Sequence, residues 1–239
     1  MSKIALVTGS SSGIGEATAR RLAADGFHVV VNSRSSVEAG EAVAASIGGD
    51  YLQADVGDED AAAGLAAEVL ARHGRLDCLV NNAGTTEVIP HPDLKAATPE
   101  VWRRLYDVNV IAPFVLVTAF EDALRAAKGC VVNVSSLAGV KPTGSSIPYA
   151  ASKAAFNHQT RLLAKVLAPD VRVNAVAPGL VDTPWTADWD ELRSLVTAIA
   201  PMKRPATADD VAESVLAFVR SDYVTGEVLV LDGGLSLLP

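Results

Sequence analysis

The chain has 239 residues, 49% of them hydrophobic and only 5% aromatic. That is enough apolar material for a large buried core and too much for a disordered chain. A formal charge of −8 and a pI near 5.0 repel polyphosphate, and no basic run or basic and aromatic stripe offsets this, so neither nucleic acid nor an anionic membrane is expected as a partner.

The first apolar run, in MSKIALVTGS, is far too short to span a bilayer, and no small-residue cleavage site follows a longer one; a cytoplasmic protein is expected. This run is the first of seven short β-branched segments, the others being HVVVNSR, DYLQADV, LDCLVNN, CVVNVSS, VRVNAVAPG and EVLVLDGG. Helices are predicted over about 13–25, 36–47, 58–73, 98–127, 149–168, 188–199 and 207–220. Asp58, Thr98 before Pro99, and Thr207 with Asp210 three residues on are start signals, while Gly26 and Gly74 follow helix ends. Strands alternating with helices argue for an α/β fold with a seven-stranded parallel sheet covered on both faces. No linker, repeat or low-complexity segment interrupts the chain, so residues 1–239 are read as one domain. Cys78 and Cys130 fall in predicted buried strands without ligand spacing and read as reduced core thiols. The four histidines, His28, His73, His91 and His158, show no partner pattern, and no metal site is expected.

Two stretches carry chemistry. The first strand runs into TGSSSGIG, Thr8 to Gly15, and then into a helix. Glycines at 9, 13 and 15 permit a sharp turn and a close backbone approach to a bulky anion, and the helix N-terminus offers unpaired N–H groups. The spacing Gly-x-x-x-Gly-x-Gly departs from the usual dinucleotide fingerprint, but the strand, turn and helix context is that of dinucleotide binding. Further on, PYAASK places Tyr149 and Lys153 four residues apart at a helix start. On one helix face, the ammonium is expected to favour phenolate and bring the tyrosine nearer to use as an acid or base.

TGSSSGIG, NNAG at 81–84, Asn109, NVSS at 133–136 and YAASK, in this order, resemble the short-chain dehydrogenase/reductase family. The resemblance runs through NAVAPGLVDT to TGEVLVLDGG and so covers nearly the whole chain. It implies a Rossmann-type, doubly wound sheet that binds a nicotinamide dinucleotide across the carboxyl ends of its strands. Gly9, Ser11, Ser12, Gly13, Ile14 and Gly15 would form the pyrophosphate turn, Asp55 and Val56 would meet the adenine, and Asn82, Ala83 and Gly84 would lie beside its ribose. Asn81 and Asn82 equally suit tying neighbouring loops together. Pro178, Gly179, Val181 and Thr183 would embrace the nicotinamide.

The same resemblance assigns Tyr149 as general acid in reduction and base in oxidation, with Lys153 also holding the ribose. Ser136, thirteen residues earlier, would hydrogen-bond the substrate oxygen, in preference to Ser135, which points to the opposite face. Asn109 would hold a water of a proton relay. At the end of the second strand, Ser33 occupies the position where NAD-preferring relatives carry an acid, and Arg34 follows it, so NADP(H) is expected over NAD(H). A serine hydrolase is disfavoured, since Gly-x-Ser-x-Gly is absent around Ser136. A non-catalytic dinucleotide-binding scaffold is the remaining alternative, and retention of all four catalytic residue types argues against it. The substrate pocket is expected among Thr85, Thr86 and Val88, the segment Ala138 to Pro148 with Lys141 its one charge, and Trp185 and Trp189; this favours an uncharged or mildly polar ketone. The apolar run VIAPFVLVTAF at 110–120 exceeds what one buried helix face needs. With the family's habit of pairing the helices at 98–127 and 149–168 and of associating through the last strand, it predicts a homodimer or homotetramer.

Overall fold

The seven predicted strands form one parallel sheet. In the computed structural model, which describes residues 2–238, they are β1 (Lys3–Val7), β2 (Phe27–Ser33), β3 (Asp50–Gln53), β4 (Cys78–Asn81), β5 (Cys130–Val134), β6 (Arg172–Pro178) and, last in the chain, Val228–Leu231. Their order across the sheet is β3-β2-β1-β4-β5-β6 followed by the last strand, with every pair parallel. The winding reverses between β1 and β4. In an open parallel sheet, that reversal opens a crevice outside the strands' carboxyl ends, where ligands bind.

Alternate strand residues feed two separate cores. Leu6, Leu79, Val131 and Val173 pack on one face with helices α3 (Glu59–His73), α5 (Ala112–Ala119) and α7 (Ile147–Leu167). Val7, Val80, Cys130 and Val132 pack on the other with α1 (Gly13–Ala24), α2 (Val37–Ile47) and α9 (Ala208–Arg220). Burial on both faces is why these strands read as continuous apolar runs and not as alternating ones. This is the expected Rossmann-type doubly wound α/β fold.

The long helix predicted over 98–127 is broken. It consists of α4 (Pro99–Tyr106), a π-helical turn over Asp107–Ile111, α5, and α6 (Glu121–Ala127). Pro113 has no N–H for the carbonyl of Asn109 four residues back, and its ring crowds that carbonyl, so the chain widens at this point. α7 starts two residues before the predicted position: Pro148 sits in its first turn and Ser146 caps it, accepting from the Tyr149 N–H at 3.3 Å. Two short strands not anticipated from sequence, β7 (Val181–Asp182) and β8 (Ala206–Thr207), pair in parallel beyond the main sheet; the last strand of the sheet is β9. They fix the segment that carries α8 (Asp190–Ile199) beside the crevice. Among the described residues, no helix is long and apolar enough to cross a membrane.

Candidate active site

A cleft of about 470 Å³ opens at the carboxyl ends of the strands and brings together nearly every residue singled out in the sequence. Its floor is the turn after β1. Gly9 and Gly13 have φ of +62° and +58°, and a Cβ on Gly15 would stand 2.3 Å from the Gly9 carbonyl oxygen. The glycines therefore serve backbone shape and close approach. Ser12 caps α1 without any side-chain hydrogen bond, so the N–H groups of the first turn face the cleft unengaged by a cap. Ser11, Ser12 and Ile14 also line it. The turn is locked from behind. Asn82 donates to the carbonyls of Thr8 and Gly9 at 2.8 and 2.9 Å, and the Thr8 hydroxyl accepts from the Asn82 and Ala83 N–H groups at 3.0 Å each. Asn82 thus has the loop-tying role, and Asn81 likewise bonds Asn133 across to the next strand at 3.0 Å.

One wall is the end of β2. Ser33 is buried, its hydroxyl 2.8 Å from that of Tyr51, whereas Arg34 is exposed and makes no ion pair among the described residues. Arg34 is not the sole cation of this corner: Arg103 and Arg104 of α4 border a smaller cavity with it and with Asp55. Both are already paired, Arg103 with Glu100 one turn back on α4 and Arg104 with Glu87 of the loop after β4. Val56, Ala83 and Gly84 complete this side, and Pro178, Gly179, Val181 and Thr183 line the opposite rim.

The corner that holds Ser136, Tyr149 and Lys153 is built from β5, the short 3₁₀ turn after it and α7. β5 ends at Val134 and delivers Ser136 as the cap of a short 3₁₀ turn, its hydroxyl accepting from the Ala138 N–H at 3.2 Å. Ser135 donates its hydroxyl to Asn157 at 2.5 Å and is engaged there. α7 supplies Tyr149, which lines the cleft with Ser136, and Lys153 one turn later. Burial raises the phenol above its ordinary value and outweighs the lowering by Ser136. The expectation that Lys153 lowers it is not met. The ammonium lies 5.9 Å from the Tyr149 ring centroid and donates instead to the Val134 carbonyl at 3.0 Å, and burial pushes Lys153 itself down to about 8.

Asn109 lies behind the cleft and not in its wall. Its amide accepts from the Thr85 N–H at 2.9 Å and donates to the Thr85 carbonyl at 3.0 Å and to the Ser152 hydroxyl at 3.1 Å, so it clamps the loop after β4 onto α7. A Cβ on Gly84 would come within 3.4 Å of the Asn109 oxygen and 3.7 Å of Lys153 Nζ, which shows how closely the three pack.

The outer part of the cleft is mostly apolar. Trp185 and Trp189 line it with Thr85, Thr86, Ala138 and Ser145, whereas Val88 and Lys141 stand outside. Leu192 and Val196 of α8, and Leu235 near the carboxyl end, also line it and were missed; the helical spacing of the first two was the available signal. At the other end of the sheet, the histidines do have a shared partner. His28 and His73 meet at Asp50, with Nε2 to Oδ2 distances of 3.0 and 3.1 Å.

The family model described as enoyl-(acyl carrier protein) reductase matches residues 9–236. The chain is 53% identical over 240 residues to "Granaticin polyketide synthase putative ketoacyl reductase 2" of Streptomyces violaceoruber, covering 98% of this chain and 96% of that one. It is 36% identical over 246 residues to a 3-oxoacyl-(acyl-carrier-protein) reductase of Staphylococcus aureus, with 98% of each covered. Among solved structures, acetoin dehydrogenase YohF of Salmonella typhimurium superposes with a TM-score of 0.88 at 30% identity, over 100% of this chain and 98% of that one. With the cleft, the glycine turn and the tyrosine and lysine of α7 in the same places in the chain order as the motifs require, the protein belongs to the short-chain dehydrogenase/reductase family of oxidoreductases.

Proposed function

We propose that the protein is an NADPH-dependent ketoreductase acting on an uncharged ketone carried on an acyl or polyketide chain. The observation that carries this reading is the convergence of Ser136, Tyr149 and Lys153 on one cleft with the turn Gly9–Gly15. The cleft fits a dinucleotide: free N–H groups at the start of α1 and the glycine cradle suit its pyrophosphate, and unpaired Arg34 suits a 2′-phosphate. When bound, the dinucleotide supplies the hydride.

The remaining steps belong to the chain's own groups. Ser136 and Tyr149 offer hydroxyls to the substrate oxygen, and Tyr149 Oη gives it a proton as the carbinol forms. A phenol raised by burial arrives protonated at neutral pH, which is the form reduction needs. Lys153, one turn further along α7, donates to the Val134 carbonyl and is the group we assign to return a proton to Tyr149. Asn109 positions Thr85 and α7, and through them this corner. The substrate class rests on the apolar outer cleft and on the two relatives named for ketoacyl and 3-oxoacyl reduction.

Replacing Tyr149 by Phe tests it. Turnover of NADPH with a 3-oxoacyl thioester is expected to fall by about 100- to 10,000-fold while NADPH binding, read by fluorescence, persists. Near-normal turnover removes Tyr149 from the chemistry, and absence of turnover in the unaltered protein with any ketone favours a binding scaffold.

A further inference from the structure

At the amino ends of β2 and β3, on the opposite side of the sheet from the cleft, three side chains distant in sequence converge. His28 is the second residue of β2, Asp50 the first of β3, and His73 the last of α3. Their donor atoms lie within 4.8 Å of one another, and the two imidazole rings are 5.1 Å apart, tilted by 51°. We propose that His28, Asp50 and His73 form a binding site for a late first-row divalent cation, zinc foremost, that pins the end of α3 to the edge of the sheet.

Two observations support it. Both histidines turn the same nitrogen, Nε2, toward the same carboxylate oxygen, Oδ2. Zinc bonds of about 2.0–2.1 Å in a tetrahedral set hold donors about 3.3 Å apart, so the 3.0 and 3.1 Å separations from Asp50 need slight expansion, and the two Nε2 atoms, within 4.8 Å of one another, need settle only to that spacing. His73 Nε2 is shut off from solvent and makes no hydrogen bond, although Asp50 Oδ2 is 3.1 Å away. Buried polar atoms without a partner are rare, and an ion among the three donors would give this one its partner.

The donor set selects the ion. Two imidazoles and one carboxylate suit zinc, nickel or copper, whereas magnesium and calcium take oxygen donors. The side chains are partly exposed, which leaves room for water as a fourth ligand. Arg72, the neighbour whose charge also acts on Asp50, is paired with Glu68 and so does not occupy the carboxylate. The site has no part in the proposed reduction, and its fate is independent of that reading.

The test uses the full chain, free of any histidine tag and stripped with chelator. Calorimetry with Zn²⁺ is expected to give one ion per chain, and saturation at about 100-fold over Kd is expected to raise the melting temperature by about 5–10 °C, with no effect of Mg²⁺. His73→Gln and His28→Gln should each weaken Zn²⁺ at least as much as the about 10- to 100-fold that loss of a supporting partner costs. Turnover in both variants is expected to match the unaltered protein. Copper in the unaltered protein should show electron-resonance coupling to two imidazole nitrogens, a readout that needs no variant to fold. No zinc binding at micromolar concentration, binding that survives both substitutions, or a copper signal without imidazole coupling overturns the proposal. In those cases the three residues are a polar cluster only.

Discussion

Lys153 shows how a single residue can set the balance between stability and chemistry. It is buried in the cleft wall with the Val134 carbonyl as its one hydrogen-bond acceptor among the described residues, and burial lowers its pKa from 10.5 to about 8. Below about pH 8 both folded and unfolded chains carry the proton, and the full cost of burying the charge is present. Between about 8 and 10.5 the unfolded chain holds a proton that the folded one has lost, so stability rises with pH across that window. At 1.36 kcal/mol per unit, the change is about 3 kcal/mol. Lys153→Met removes this term. Urea unfolding at intervals from pH 7 to 11 should therefore show the variant's stability, relative to the unaltered protein, falling by about 3 kcal/mol through that window; a constant difference would mean that burial does not lower the lysine's pKa. The same variant is expected to lose turnover.

Arg34 is a second residue with a separable role. Being exposed and unpaired, it contributes little to the fold, and a charge-assisted hydrogen bond to a 2′-phosphate is worth about 1.5–3 kcal/mol. Arg34→Ala is expected to weaken NADPH about 10- to 100-fold and leave NADH nearly untouched. Equal losses for both would instead assign the arginine to loop structure, and an unchanged NADPH affinity would point to Arg103 across the same corner. The residues of this site were legible because turns, caps and paired chemical groups leave local patterns. The cluster of His28, Asp50 and His73 was not, since only strand order and the length of α3 bring those positions together.

At the scale of elements, the glycines separate two kinds of demand. Gly15 sits in the first turn of α1, where an added methyl would meet the Gly9 carbonyl at 2.3 Å and the Asn82 amide at 2.5 Å. Gly15→Ala is expected to cost about 1–3 kcal/mol and to weaken dinucleotide binding, because the backbone lock behind the turn must shift. Gly64, exposed in the middle of α3, has nothing within 4 Å of an added methyl, and Gly64→Ala should stabilise by about 0.5–1 kcal/mol. Thermal unfolding of the two variants distinguishes the loop that must approach closely from the helix that merely tolerates glycine. Strands and most helices were readable to within a few residues, since burial on both faces leaves continuous apolar runs. The break at Asp107–Ile111 was the exception: its sequence keeps helical character throughout, and only Pro113 hinted that the ladder would widen where Asn109 turns toward Thr85.

For the whole molecule, the question is what covers the apolar surface that remains. The π-helical turn and α5 leave Ile111 and Phe114 38% and 49% exposed, and α7 leaves Leu162 and Val166 53% and 63% exposed. These helices run side by side, with Gln159 of α7 donating to the Val110 carbonyl at 3.2 Å. A stripe of large apolar side chains on neighbouring helices is a poor solvent face and a good self-complementary one, since a two-fold axis places each helix pair against its copy. We infer a homodimer through α5 and α7, with β9 as the free edge where two dimers could join, its Leu229 also exposed. The pair Phe114→Glu and Leu162→Glu places two carboxylates from each copy in that face, where burying unpaired charge is prohibitive. Sedimentation at micromolar concentration is expected to show a dimer or tetramer for the unaltered chain and half that mass for the double variant. A monomeric unaltered chain sinks the inference, and an unchanged mass in the double variant moves the interface to the β9 edge.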